Sequence, residues 1–465
     1  MAEALKRDAF TFWGLVFFAV TVIFPAGPFA VTGVTAMVYS GEVAPLAFLV
    51  GGLTLFLAII AVYIYTTKTN NAGGYYKYVE MSVPNKYLSK SVGFYYLFWV
   101  IGDMIAASIV VGWFLWVGLE SFIGYSLPLL WVIVASLVTP VIYLIVGVLS
   151  INVSQKLAIA MGVIEIAFFV GLSAAILLKS PYNGAQYFDI SNSLGGLHGF
   201  FLAMIVGAFL AYGGYGSIVA LGEEAKLPLK TLKKAIVAAL AIMVLYDTLV
   251  VYANVAGIGP NLSTALTFFA PGLYITKQYY GMTWALIAFG VVEVSQLMSP
   301  VLFGNSGARA LFALARDGVF PARFAKVHPK YQSPYVAVFA VFLIVVIGVV
   351  ASIGVLVYFY GEANGLFYPI VIWAIAITIF TLLYHIIVNQ TLAVFLHRIK
   401  ALNIVKHVVG PTIASIIMIV AIYYSLLGLT WPLSVVYIMI PGWIVFALIW
   451  TFVRRKKVTM EELFR

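Results

Sequence analysis

The chain has 465 residues, of which 64% are apolar and only 9% are Asp, Glu, Lys or Arg, with a formal net charge of +10. A soluble globular protein carries about 25% charged residues, so this composition cannot cover a water-facing surface, and the solvent around most of the chain is lipid. Cysteine is absent, which excludes disulfides and thiolate metal sites.

Backbone groups in lipid must be satisfied internally, by helices or by a closed barrel. The apolar runs are continuous and about 20 residues long, which is helix length; barrel strands alternate over about 10. The first run, from Phe10, is long and has no small-residue cleavage site near its end, so it reads as a span rather than a leader. Twelve spans follow in order, roughly 10–38, 43–66, 91–118, 128–150, 157–178, 197–221, 235–258, 282–314, 335–358, 366–395, 407–428 and 432–453. The expected fold is an all-α membrane protein of twelve transmembrane helices. It comprises a tail 1–9, spans 1–5 over 10–178, spans 6–10 over 197–395, spans 11–12 over 407–453 and a tail 454–465.

Charge placement tests this topology. With the N-terminus inside, 24 of the 26 Lys and Arg fall on cytoplasmic segments or span ends, including Lys77, Lys90, Arg455, Lys456, Lys457 and Arg465. Only Lys179 and Lys277 fall outside. That bias predicts cytoplasmic termini and a coat facing anionic lipid in a cell membrane; it is not a nucleic-acid footprint.

Two spans carry helix breakers near their middle: Phe24-Pro25-Ala26-Gly27-Pro28-Phe29 in span 1, and Ala211-Tyr212-Gly213-Gly214-Tyr215-Gly216 in span 6. Proline removes a donor and glycine weakens a helix. The alternative is a kinked but continuous helix. The two breaks lie five spans apart, and a five-span repeat has an odd number of crossings, so its second copy is inverted. Paired breaks in inverted halves mark the solute site of many secondary transporters, where free N–H groups hold a carboxylate and free carbonyls an ammonium.

Three segments resemble the amino acid–polyamine–organocation transporters. Asn71-Ala72-Gly73-Gly74-Tyr75-Tyr76-Lys77-Tyr78 is similar to that family's P-x-A-G-G-x-Y-x-Y stretch, with Asn where Pro is usual. The second, Phe209 to Ser217 running on to Leu221-Gly222-Glu223-Glu224-Ala225-Lys226-Leu227-Pro228, resembles the family's broken sixth helix and its exit; Ala308 to Pro321 resembles its eighth-helix exit. The resemblance implies two inverted five-helix repeats plus two extra helices. It implies solute between helices 1 and 6, with helices 3, 8 and 10 nearby, and coupling to protons or Na⁺, or exchange. On this basis Pro25, Ala26, Gly27, Phe29, Tyr212, Gly213, Gly214 and Tyr215 are candidate solute contacts. The first break departs from the family's G-S-G-I-F pattern: Pro25 and Pro28 donate nothing, which keeps open a polyamine or other amine without a carboxylate.

Four acids fall inside spans: Asp103, Glu165, Asp247 and Glu293. Each costs about 2.5–3.5 kcal/mol at a helix centre and so requires a reason, structural or functional. Glu165 stands where the resemblance places a Lys in proton-dependent members, so coupling by that Lys is not inherited. An acid there can itself bind a proton, or hold Na⁺ with Ser295 or Ser299. Glu293 and Asp103 are further coupling candidates; Asp247, on a helix usually peripheral to the site, is a weaker one. Glu223, Glu224, Arg309, Arg316 and Asp317 cluster at the inner exits of spans 6 and 8, where they form either a gate of ion pairs or a solvated rim. No cofactor is expected beyond a transported proton or Na⁺. The motifs of metalloproteases, serine hydrolases and P-loop enzymes are missing. The sequence predicts an importer of an amino acid, with a polyamine carrier, an exchanger and a non-transporting receptor or scaffold as alternatives.

Overall fold

The computed structural model describes residues 4–454. The C-terminal charges Arg455, Lys456, Lys457 and Arg465 lie outside them. Eleven helical segments among the described residues are long and apolar enough to cross a membrane. The only strand-like contact among them is a single parallel bridge between Phe10 and Ala225.

The first span is built from three pieces: α1 (Phe12–Ile23), α2 (Gly27–Ala30) and α3 (Thr32–Ser40). Phe24 ends α1 in the left-handed region (φ 69°, ψ 78°), an outlying conformation for a bulky residue. Gly27 N–H closes a turn onto Phe24 O at 2.8 Å, and Val31 (φ −132°, ψ −73°) breaks the chain again. After α4 (Ala44–Tyr65), α5 (Tyr75–Ser82) forms in what the sequence suggests is a connector, burying Tyr75, Tyr76, Tyr78 and Val79. Then come α6 (Lys86–Ile123), α7 (Leu129–Val148) and α8 (Ile151–Lys179).

The sixth span differs from its expected form. It runs as α9 (Gly196–Ala203), a π-helix Met204–Phe209, α10 (Leu210–Tyr212) and a 3₁₀ helix Gly213–Glu224. The glycines do not open a gap: Gly213 keeps right-handed helical angles (φ −49°, ψ −32°), and the backbone is rewound more tightly. Twelve residues of 3₁₀ helix is unusual, since runs above about 3–4 residues are uncommon.

α11 (Pro228–Ile258) leads to the short α12 (Leu262–Ala265) and to α13 (Pro271–Arg316). The segment 259–281, expected as an outer loop, is therefore largely helical; Pro271 starts its last helix, which buries Leu273 and Ile275. Gly281 (φ 83°) splits α13 at the residue before the expected start of span 8. α14 (Tyr335–Arg398) has 64 residues. Straight, it would reach about 96 Å at 1.5 Å per residue, against a hydrocarbon core of about 30 Å. Gly361 (φ 73°, ψ 175°) turns it into two helices, 335–360 and 362–398. α15 (Gly410–Leu426) and α16 (Val436–Val453) complete the bundle.

Small residues set the closest crossings, as expected where lipid supplies no hydrophobic drive between helices. A Cβ on Gly214 would stand 2.6 Å from Ile23 N and 2.7 Å from Val22 C, so the backbone of the sixth span lies directly against the broken end of α1. The two Lys expected outside share one end of the bundle with Tyr279, whose carbonyl accepts from Lys179 at 3.0 Å. Lys77, Lys90, Arg309 and Arg316 meet at the other, basic end.

Candidate functional site

A cavity of about 110 Å³ opens where α1 stops. One water needs about 10–15 Å³ on this scale, so the space holds several waters or a small solute. Its walls come from the break (Val22, Ile23, Phe24, Val31, Thr32), α6, the Leu210–Gly214 stretch, α13 and α14. These are the first, third, sixth, eighth and tenth predicted spans.

The wall is mostly apolar, with Trp99, Val110, Phe303 and Ile377 among its members. Asp103 supplies the sole charge in the lining; it is half-buried and makes no hydrogen bond to the protein. Thr32 Oγ1 and both side-chain polar atoms of Gln296 are buried without a partner and belong to the same wall. Buried polar groups are nearly always paired. Three unpaired ones around one cavity are consistent with groups reserved for a ligand.

Of the expected solute contacts, only Gly214 lines this cavity; Asp103 and Ser299, expected as coupling residues, line it too. Pro25, Ala26, Gly27 and Phe29 lie behind it, and their free carbonyls are not free. Tyr246 donates to Pro25 O at 2.7 Å, and Asn254 Nδ2 to Pro28 O at 3.3 Å and Phe29 O at 3.2 Å. Ser299 donates to Val22 O at 2.9 Å. Tyr212 is buried with its hydroxyl on Phe48 O (3.1 Å). Tyr215 is hydrogen-bonded to His385 Nε2 (2.6 Å), whose Nδ1 meets Thr381 O at 2.8 Å, so His385 is a satisfied polar residue. Gly213 lies beside Trp99, 3.5 Å from where its own Cβ would stand.

The coupling candidates are dispersed. Glu165 is fully buried on α8; one oxygen accepts from Ser295 at 2.7 Å, and the other has no partner. Glu293 is half-buried with Oε1 unpartnered, and is absent from the cavity wall.

Two layers separate the cavity from the basic end. Trp99 packs on Tyr96 and Tyr384 (ring centroids 5.4 and 5.7 Å), and Tyr384 on Tyr75 at 4.6 Å. Beyond them the acids are paired. Glu224 and Arg309, both wholly buried, form a two-point ion pair through Nε and Nη2, and Arg309 Nη1 also meets Asn305 O at 3.1 Å. Glu224 O accepts from the Ala9 and Phe10 amides, tying the N-terminal segment to the same exit. Glu223 takes Arg316 (2.6 and 3.0 Å) and the Ala72 amide (2.9 Å), which anchors the Asn-Ala-Gly-Gly turn. Asp317 takes Lys77 (2.6 Å), Lys90 (3.0 Å) and the Tyr76 hydroxyl (3.1 Å). Burial draws the Asp317 carboxyl upward, but Lys90 and Lys77 outweigh it and hold the group below its ordinary range. Burial lowers Lys77, yet Asp317 and Glu80 carry it above its ordinary value.

A bundle of apolar helices enclosing a partly polar cavity at a helix break is the architecture of a membrane permease. The family model for amino acid permeases matches residues 14–463, and the chain belongs to that family, within the amino acid–polyamine–organocation superfamily. It is 25% identical over 370 residues to the branched-chain amino acid permease BcaP of Bacillus subtilis (strain 168), covering 72% of each chain. It is 24% identical over 353 residues to cationic amino acid transporter 5 of Arabidopsis thaliana, covering 72% of this chain and 58% of that one. A stretch of 136 residues, 27% of each chain, is 30% identical to the methylthioribose transporter of B. subtilis. These relatives are permeases and transporters, not enzymes, and the protein is a multi-pass membrane transporter.

Proposed function

We propose that the protein is a secondary active importer that carries an amino acid with an apolar side chain across the plasma membrane by alternating access, driven by protons or Na⁺. On this reading the helices divided at Gly281 and Gly361 give twelve crossings, arranged as two inverted five-helix repeats plus two. Both termini are cytoplasmic, and the basic end faces inward. The observation that carries the proposal is the cavity lining: a single carboxylate, no cation, three unpaired polar side-chain atoms and an otherwise apolar wall. Asp103 takes the solute's ammonium, Gln296 Nε2 and Thr32 Oγ1 donate to its carboxylate, and Trp99, Phe303 and Ile377 cover its side chain. The similarity to a branched-chain amino acid permease supports an apolar side chain.

The ion pairs Glu224–Arg309, Glu223–Arg316 and Asp317 with Lys77 and Lys90 act as the inner gate, and this conformation is closed to the cytoplasm. Glu165 with Ser295, behind the break, is a coupling group. A polyamine carrier fits less well, because a second ammonium would find no second acid in the wall.

The test is uptake into liposomes containing the purified protein. Labelled leucine should accumulate under an inward proton or Na⁺ gradient and exchange with internal leucine without one. Uptake of putrescine that leucine does not inhibit would replace this reading with the polyamine carrier. Saturable binding without exchange would make the protein a receptor.

A further inference from the structure

Asp247, on α11, is wholly buried, and neither of its carboxylate oxygens has a hydrogen-bond partner. The elements packed against α11 include α1, α2, α4, α8, α10, the 213–224 segment and α13, together with the 259–261 turn and α12, which carry no titratable side chain. The titratable groups that sense the Asp247 charge are Tyr212 of α10 and its own neighbour Tyr246, and Glu165 of α8 lies within range of Tyr246. α1 and α2 carry no titratable side chain, and α4 carries only Tyr63 and Tyr65. The 213–224 segment carries Tyr215, Glu223 and Glu224, and the charged groups of α13 are Lys277, Glu293, Arg309 and Arg316; none of these forms a hydrogen bond to Asp247.

An ionised carboxylate in such a place has neither a donor nor a counter-ion, and the penalty is several kcal/mol; such groups neutralise instead. The neighbours make the site mechanically significant. Tyr246 hydroxyl clasps Pro25 O of the first-span break, and Tyr212 hydroxyl clasps Phe48 O of α4. A negative charge on Asp247 would act through space on both tyrosines and so change the field in which the two clasps are held.

We propose that Asp247 is a proton-binding site, separate from Glu165, that is loaded in this conformation and unloads when α11 parts from α4 and the sixth span. The proton arrives on a carboxylate oxygen from water on one side and leaves to water on the other; no other bond changes. Unloading puts a charge beside Tyr212 and Tyr246 and favours the state in which the break is released, so proton movement and rearrangement of the first span are linked. This rests on the transporter reading above.

The experiment compares wild type with Asp247→Asn, an uncharged mimic of the loaded acid. In liposomes, the variant should keep leucine counterflow at fixed pH but lose accumulation driven by a pH gradient. In infrared difference spectra of the purified protein between neutral and strongly alkaline pH, the wild type should show a protonated-carboxyl C=O band that the variant lacks. The proposal is overturned if the variant accumulates leucine on a pH gradient like wild type, if wild-type accumulation ignores the pH gradient, or if the carboxyl bands of the two proteins are identical. Absence of wild-type counterflow would instead defeat the transporter reading, and the infrared comparison would still decide the protonation of Asp247.

Discussion

The middle of the bundle and its basic end both hold wholly or partly buried carboxylates, yet they treat them oppositely. At the basic end Glu223, Glu224 and Asp317 each meet one or two cations, and Glu223 and Asp317 each have one further donor. In the middle, Asp103 shares its cavity wall with no cation, Asp247 has no partner, and Glu165 is half-satisfied. Paired charges fix a geometry; unpaired ones leave interaction energy for something that comes and goes. The difference separates a clamp from a site.

The contrast can be broken most forcefully at Arg309. Arg309→Ala leaves Glu224 wholly buried and alone, and should destabilise the protein by about 3–5 kcal/mol, read as a fall in thermal midpoint in detergent. An unchanged midpoint would mean that the pair is not a clamp. Gly214→Ala is next. Its Cβ would meet backbone atoms of Val22 and Ile23, which no rotamer change relieves. A cost of about 1–3 kcal/mol is expected for such overpacking, together with loss of leucine binding in a thermal-shift assay.

The Asp317 cluster should act through pH. A lowered acid contributes stability that is full above its unfolded value near ~3.9 and is lost as pH falls through its folded value. A raised Lys77 contributes stability that is full below ~10.4 and is lost as pH climbs through its folded value. Asp317→Asn should therefore lower the thermal midpoint by a constant amount between about pH 5 and 9, with the gap closing on acidification below ~4. A gap that closes near neutrality would show a different titrating group. The smallest effect belongs to Arg316→Ala, whose pair with Glu223 is part-exposed (33% and 22%). About 0–1 kcal/mol is expected from unfolding measurements.

The basic end was the more legible part of the sequence, because charge is scarce and its placement is constrained. Glu223, Glu224, Arg309, Arg316 and Asp317 are all visible in the sequence at one end of two spans, and the structure places them at that basic end. Nothing in the sequence marks Glu80, Lys77 and Lys90 as their companions, since they belong to α5 and the start of α6, which fold back onto them. The middle was less legible. Trp99, Phe303 and Gln296 could not be singled out, because in spans that are apolar all round no periodicity shows which face turns inward. The break at Pro25 followed from proline's missing donor. Its carbonyl caps came from Tyr246 and Asn254, more than 220 positions away, and had no local signal. At Gly213 the composition suggested an opening, but glycine also permits close packing, and contact with α1 accompanies a tighter winding.

The central claim is that Asp103 receives the solute's ammonium within the cavity at the break. Thermal stabilisation by leucine, by 3-methylbutylamine (leucine without its carboxylate) and by 4-methylpentanoate (leucine without its ammonium) tests it directly, in wild type and Asp103→Asn. Leucine should stabilise wild type most, the amine less and the acid not at all. The variant should lose the leucine effect while its ligand-free midpoint stays close to wild type. Equal stabilisation by the acid, or undiminished leucine binding by the variant, would contradict the account.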